Sequence, residues 1–223
     1  YCCQADVMDG SVMKESVAQQ TASWIAERAK TQRVESVQLV FVGGEPLLHP
    51  RRLEMIARDV RKSLEGSGIG FGFTLLTNAA FLDQAMVERL LPFGLSKAQI
   101  TLDGDSSTHM LSRISKKGED TFERVFQNAI AASKKIEVAI NGNYQASTIG
   151  GFVPLLDLLK AAGLPAGSSI KLSPALAALG APRVAEGLAA TWSDSAAEYQ
   201  IALYDEVLRR GVHESAPNTV GPC

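Results

Sequence analysis

The sequence predicts an α/β fold, built as a partial (β/α)6 barrel of the TIM type. Short apolar runs of strand length alternate with amphipathic helix patterns along most of the 223 residues. The runs are apolar on both faces, which is typical of parallel strands covered by other layers. A helix pattern precedes the first run, so a right-handed β/α order requires one more strand upstream of Tyr1. With that strand restored there are six β/α units, fewer than the eight of a closed barrel.

Five apolar runs predict the strands, and apolar stripes at helical spacing predict the helices between them. The predicted strands cover 37–42, 71–76, 99–102, 138–140 and 170–172. Val17, Trp24 and Ile25 indicate an early helix over about 10–31. Further helices are predicted over 53–64, 122–130, 152–159 and 194–210.

Composition excludes several classes of function. The 22 Lys and Arg residues nearly balance the 24 Asp and Glu residues, which argues against a polybasic protein that binds nucleic acid or a membrane surface. No segment approaches the ~20 apolar residues of a membrane span. Three cysteines, two of them adjacent, do not make a disulfide framework. Their odd number favours a reducing compartment, and we expect a cytoplasmic protein.

Polar residues follow the predicted strands, where ligands bind in β/α folds. They are Gly43, Gly44, Glu45, Asn78, Thr101 and Asn141. The two glycines allow a ligand to approach the backbone closely, and the glutamate adds a carboxylate beside them. Taken singly, each residue is explained as well by a tight turn, and a lone Arg113 by a solvated surface. Only their order along the chain favours a site.

Several motifs in one order carry a family resemblance. They are YC at 1–2, GGEPLLHP at 43–50, LLTNA at 75–79 and TLDGDSSTHMLSRISKKGEDTFERVFQNAI at 101–130. Together they resemble the radical SAM enzymes, and within them the branch that carries a C-terminal SPASM domain. The resemblance implies a radical SAM core over 1–211, followed at 212–223 by a linker into a truncated SPASM-type domain.

The resemblance also implies iron–sulfur clusters. In the family signature C-x3-C-x-aromatic-C, Tyr1 and Cys2 match the last two positions, so Cys2 is expected to ligate a 4Fe-4S cluster. The two other cysteine ligands are expected upstream of Tyr1, because Cys2 alone would not hold the cluster. Cys3 is interpreted as a small apolar residue. Cys223 is expected to begin the ligand set of auxiliary 4Fe-4S clusters, the alternative being an incidental thiol.

S-adenosylmethionine (SAM) is the second cofactor that the resemblance implies. Its methionyl amino group is expected against Gly43, Gly44 and Glu45, and its carboxylate against Arg113. The other expected contacts are Asn78, Thr101 at the ribose, Asn141 at the ribose or adenine, and Leu172 near the adenine. His49 and His109 are interpreted as turn or packing residues rather than metal ligands.

The resemblance implies that SAM is cleaved reductively to a 5′-deoxyadenosyl radical, which abstracts hydrogen from a peptide or protein substrate. A sulfatase-type maturase acting on a Cys or Ser side chain is an alternative, and a cluster-less peptide-binding scaffold is another. A β/α phosphate-binding enzyme ranks lower, because 173–176 lacks both a glycine-rich loop and basic residues. The expected electron donor is a flavodoxin- or ferredoxin-type reductant. Neither a nucleic-acid nor a membrane partner is expected, and no catalytic residue is identified.

Overall fold

Six parallel strands form one sheet in the order β1 to β6, so neighbours in sequence are neighbours in space. The computed structural model describes residues 10–113, 118–144, 148–165, 168–174, 205–209 and 213–214. The strands are β1 (Ser36–Phe41), β2 (Gly70–Thr77), β3 (Leu95–Thr101), β4 (Glu137–Tyr144), β5 (Ser169–Pro174) and β6 (His213–Glu214). Within these ranges β1 and β6 are the sheet edges and do not pair, so the barrel is not closed.

Helices connect the strands and cover one face of the sheet. They are α1 (Glu15–Gln32), α2 (Pro50–Leu64), α3 (Gln84–Leu90), α4 (Ser106–Ser112), α5 (Phe122–Ser133) and α6 (Phe152–Ala161), and 205–209 is also helical. Pro50 occupies the first position of α2, where its missing N–H costs nothing. Asp83 and Asp105 cap α3 and α4, because each carboxylate accepts a hydrogen bond from a backbone N–H of the first turn. No helix in these ranges is long and apolar enough to cross a membrane.

The main core lies between the sheet and the helices α2, α3, α5 and α6. Alternate residues of β3, such as Ala98 and Ile100, are buried in it, whereas Gln99 and Thr101 are half-buried. This alternation follows from the two-residue period of a strand. One face of the sheet is therefore apolar under the helices, and the other carries polar side chains.

A second, smaller core joins α1 to α2. The α1 side of it consists of Ala18, Ala22, Ala26 and Ala29. The helix predicted over 10–31 is therefore present, but of the three large residues used to predict it, only Ile25 packs against this core. Val17 is 45% exposed and Trp24 61% exposed.

The predicted strands are all present, but several strand boundaries differ and two helices were not predicted. Of the helix predicted over 194–210, the part at 205–209 is helical, and the rest lies outside the described residues. Strand β4 runs on to Tyr144, so Asn141 lies within the strand instead of after it. The short helices α3 and α4 were not predicted; α4 occupies the segment that was interpreted as a polar loop. Strand β6 extends the sheet into 212–223. The assignment of that segment as a linker stays a prediction.

Candidate functional site

The predicted site residues of the sheet gather at its C-terminal edge. Glu45 follows β1, Asn78 follows β2, and Thr101 ends β3. Thr101 pairs with Asn141 of β4, which in turn pairs with β5 at Lys171. The parallel register therefore brings polar residues of successive strands into one rim, as the β/α architecture requires.

The Gly43-Gly44-Glu45 turn is fastened to the next strand through the Glu45 carboxylate. Oε1 accepts a hydrogen bond from the Thr77 hydroxyl at 2.8 Å and from the Leu47 N–H at 3.0 Å. Oε2 accepts one from the Asn78 N–H at 2.8 Å. Glu45 thus ties the ends of β1 and β2 together. A Cβ added to Gly43 would meet nothing within 4 Å, so the space above this glycine is open.

The turn after β2 holds an unusual backbone conformation at Ala79. This buried residue has φ +57°, in the left-handed region that L-residues other than Gly, Asn and Asp seldom adopt. Its N–H donates to the Thr77 hydroxyl at 2.9 Å, and its carbonyl accepts from Asn128 Nδ2 of α5 at 2.7 Å. Asn78 Oδ1 accepts from the Ala80 N–H at 2.9 Å. These bonds fix the conformation and hold Asn78 at the rim.

Asp103, two residues beyond Thr101, is a buried carboxylate at the centre of a polar cluster. Its Oδ2 forms an ion pair with Nε of Arg113 at 2.5 Å, with side-chain exposures of 2% for the aspartate and 25% for the arginine. Its Oδ1 accepts from the backbone N–H of Asn143 at 2.8 Å and from the Asn143 Nδ2 at 3.2 Å. A buried charge needs such partners, because an unpaired one would be strongly disfavoured. Arg113 is therefore held beside the ends of β3 and β4.

His109 completes this cluster from α4. It is fully buried, and its Nδ1 accepts a hydrogen bond from the Asp103 N–H at 3.2 Å. The proton of the neutral ring is then on Nε2, which lies 3.5 Å from the Thr121 hydroxyl. Burial lowers the pKa of His109, and Arg113 adds to this effect, whereas Asp103 and Asp120 oppose it. His109 is thus a neutral packing residue, in agreement with its interpretation from the sequence.

A close backbone contact positions α4 against the start of α6. Gly104 has φ +96°, and a Cβ there would lie 2.1 Å from the hydroxyl oxygen of Thr108. A Cβ on Gly151 would meet the same oxygen, also at 2.1 Å. The Asp105 N–H donates to the Gly151 carbonyl at 2.9 Å. Thr108 therefore fits between two residues that lack side chains, and α4 cannot shift independently of α6.

The remaining predicted site residues are not described in side-chain detail. Leu172 belongs to β5, where its backbone pairs with Gly142; its side chain lies outside the description. Cys2 and Cys223, the expected cluster ligands, are outside the described residues. Within the described ranges, no group of three or more His, Cys, Asp or Glu residues could hold a metal ion.

Sequence reasoning missed the residues that support the rim. Asp103 is not among the predicted site residues, although the two-residue period of a strand puts it on the same face as Thr101. Asn143 and Asn128 had no local signal. Their partners, Asp103 and Ala79, lie 40 and 49 residues away in the chain.

Comparison with known proteins agrees with this architecture. A family model that describes the Radical SAM superfamily matches residues 1–165. A curated relative, the PqqA peptide cyclase of Granulibacter bethesdensis (strain ATCC BAA-1260 / CGDNIH1), is 28% identical over 81 residues, which is 36% of this chain and 20% of the cyclase.

Two solved structures share the fold. The structure described as native anSMEcpe with bound AdoMet superposes with a TM-score of 0.74 at 19% identity, covering 95% of this chain and 57% of that one. The structure described as native anSMEcpe with bound AdoMet and Kp18Cys peptide has a TM-score of 0.66 at 21% identity, covering 79% of this chain and 47% of that one. The likeness confirms the predicted partial barrel. The chain spans about half the length of these proteins.

Proposed function

Because the chain belongs to the Radical SAM superfamily, we propose that it binds SAM at the C-terminal rim of its sheet and takes part in radical chemistry on a peptide or protein. The observation that carries the proposal is the gathering of Glu45, Asn78, Thr101 and Asn141 on successive strands, with Arg113 beside them. Solved structures of the same fold are described as having AdoMet bound, which supports this cofactor.

The rim offers groups that suit the parts of SAM. The open space above Gly43 leaves room for a ligand against the backbone. The Glu45 carboxylate provides negative charge for the methionyl ammonium, although three protein donors already share its two oxygens. The Arg113 guanidinium provides positive charge for the methionyl carboxylate. Thr101 and Asn141 pair in register and would hydrogen-bond the ribose side of the ligand.

The proposed iron–sulfur cluster draws one thiolate from Cys2. The described residues contain no other group that would replace cysteine ligands. We propose that the two remaining ligands precede Tyr1, as the family signature requires. When bound, a 4Fe-4S cluster supplies the electron for reductive cleavage of SAM. The task of the chain is then to orient SAM and exclude water from the reacting carbon.

A peptide or protein substrate is proposed from the relatives. One curated relative is described as a peptide cyclase, and one solved neighbour is described as having AdoMet and a peptide bound. The polar inner face of the sheet, with Gln38, Thr74 and Gln99, would suit the amide groups of a peptide. Both a peptide maturase and a sulfatase-type maturase would act on such a substrate. The auxiliary clusters, the reductant and the cytoplasmic location stay predictions.

The test uses the full-length protein, reconstituted with iron and sulfide under anaerobic conditions. Reduced protein with SAM is expected to release 5′-deoxyadenosine, and calorimetry is expected to show SAM binding. Thr101→Val removes a hydroxyl that has no hydrogen-bond partner in the described part of the chain, and is expected to weaken SAM binding about fivefold to tenfold without loss of stability. Thr74→Val, three residues before the end of β2, is the control; its hydroxyl accepts a hydrogen bond from Gln38 Nε2 at 3.2 Å, and the variant is expected to bind SAM normally.

The proposal fails if the wild-type protein neither binds SAM nor forms deoxyadenosine. If the protein binds SAM but Thr101→Val and Thr74→Val behave alike, the cofactor is bound elsewhere and the rim assignment is wrong.

A further inference from the structure

Asp103 differs from the other carboxylates of the rim because it is buried and paired with an arginine. Its two oxygens receive hydrogen bonds from Arg113, the residue that follows α4, and from Asn143 of β4. Asp103 itself follows the last residue of β3 by two positions. One carboxylate therefore joins two strand ends and a helix.

Arg113 is held by this cluster at two points. The Asp103 carboxylate binds its guanidinium through Nε, and the Thr121 hydroxyl donates to its backbone carbonyl at 3.0 Å. His109 connects the two anchors, since Nδ1 faces the Asp103 N–H and Nε2 faces the Thr121 hydroxyl. Asp103, His109, Thr121 and Arg113 thus form a closed ring of polar contacts.

This ring fixes the orientation of a flexible side chain. A guanidinium is planar and has five N–H donors in a rigid fork, so binding Nε determines where the terminal nitrogens point. A free arginine would have to lose side-chain rotamer entropy on binding a ligand. An arginine that is already held loses less of it, which is the advantage of preorganisation.

We infer that Asp103 is a positioning residue, which orients the Arg113 guanidinium toward the carboxylate of bound SAM. The inference rests on the proposed binding of SAM at this rim. Asp103 does not touch SAM in this account, and acts only through Arg113. Removing the Asp103 charge is therefore expected to weaken the binding of a ligand only where that ligand has a carboxylate for Arg113 to bind.

The experiment compares SAM with decarboxylated SAM, which lacks that carboxylate, on the reconstituted full-length protein. Asp103→Asn keeps the shape of the side chain but removes its charge. It is expected to weaken binding of SAM about tenfold, and binding of decarboxylated SAM less than about twofold.

Asp105→Asn is the matched control, because its carboxylate caps α4 through Thr108 and Ser107 and makes no contact with Arg113. It is expected to change both affinities less than about twofold. A second variant, Thr121→Val, removes the other anchor of Arg113. It is expected to weaken binding of SAM about threefold, with little effect on decarboxylated SAM.

The outcomes separate the inference from the proposed function. If the wild-type protein does not bind SAM, the proposed function fails. If the wild-type protein binds SAM and Asp103→Asn weakens both ligands equally, or neither, Asp103 has only a structural role and the inference is overturned. If Asp103→Asn does not fold, Thr121→Val decides by the same comparison of the two ligands.

Discussion

Two carboxylates join neighbouring strand ends in this molecule, and they do so in different ways. Glu45 ties β1 to β2 with neutral donors only: two backbone N–H groups and one hydroxyl. Asp103 ties β3 to β4 as one half of an ion pair with Arg113. The first carboxylate is half-buried and the second is buried.

The two ends of the rim are therefore stabilised by different interactions. Neutral hydrogen bonds share the Glu45 charge among several groups, so that losing one leaves the others in place. A buried ion pair depends on both partners, because removing one of them leaves the other as a buried charge without a counter-charge. The Asp103 side of the rim is therefore expected to respond more sharply to a single substitution.

The largest expected effect tests the ion pair. Arg113→Met leaves the Asp103 carboxylate buried without its cation, and is expected to lower the free energy of unfolding by about 3 kcal/mol. Urea denaturation of the full-length protein at neutral pH measures it. Arg89→Met is the control, since the pair of Arg89 with Glu54 has exposures of 42% and 18%; it is expected to cost less than about 1 kcal/mol. Equal losses would remove the distinction between buried and exposed pairs here.

A smaller effect is expected on the Glu45 side. In Glu45→Gln, one carboxylate oxygen becomes an NH2 group, which must face either Asn78 N–H or the donors of Leu47 and Thr77. One donor then loses its acceptor, at about 2 kcal/mol in the free energy of unfolding. Glu65→Gln, at the exposed end of α2, is the control and is expected to be neutral within about 0.5 kcal/mol. If Glu45→Gln is neutral as well, its carboxylate does not fasten β1 to β2.

The smallest expected effect is a pH dependence that comes from His109, on the Asp103 side of the rim. Burial lowers the pKa of His109 below its ordinary value of 6.5. The charge of Arg113 acts in the same direction, whereas the carboxylates of Asp103 and Asp120 act against it. Below pH 6.5 the unfolded chain therefore binds more protons than the folded chain, and stability falls with falling pH. His109→Gln removes a titrating group, so its stability is expected to decline less between pH 7.5 and 5.5. Parallel curves for the two proteins would mean that His109 does not contribute.

The strands were largely predictable because apolar runs of strand length, separated by amphipathic helix patterns, are a local property of the sequence. The prediction that both faces of the strands are covered was wrong for β1 and β3: every second residue of β1 is exposed, and in β3 the buried Ala98 and Ile100 alternate with residues that are only half-buried. The short helices α3 and α4 were harder, since seven residues give only two turns of periodicity. Their capping residues, Asp83 and Asp105, were the available signals. The alanine stripe of α1 shows a related limit. Its four small residues recur at helical spacing, but a search for large apolar side chains passes over them.

The rim residues could be predicted because ligands in β/α folds bind where the strands end. Their supporting contacts could not. The bond between Thr77 and Glu45 spans 32 residues, and the contacts of Asp103 with Asn143 span 40. Such pairs depend on the register between strands, which no single stretch of sequence determines.

The contact among Gly104, Thr108 and Gly151 limits how segments of this barrel can be exchanged with those of other proteins. Both glycines leave room for the same hydroxyl, and any side chain at either position would occupy that volume. The three residues come from two successive β/α units, so a chimera that takes one unit from a different protein would bring together surfaces of mismatched shape. A chimera therefore has to take both segments, 104–108 and 148–152, from the same parent protein.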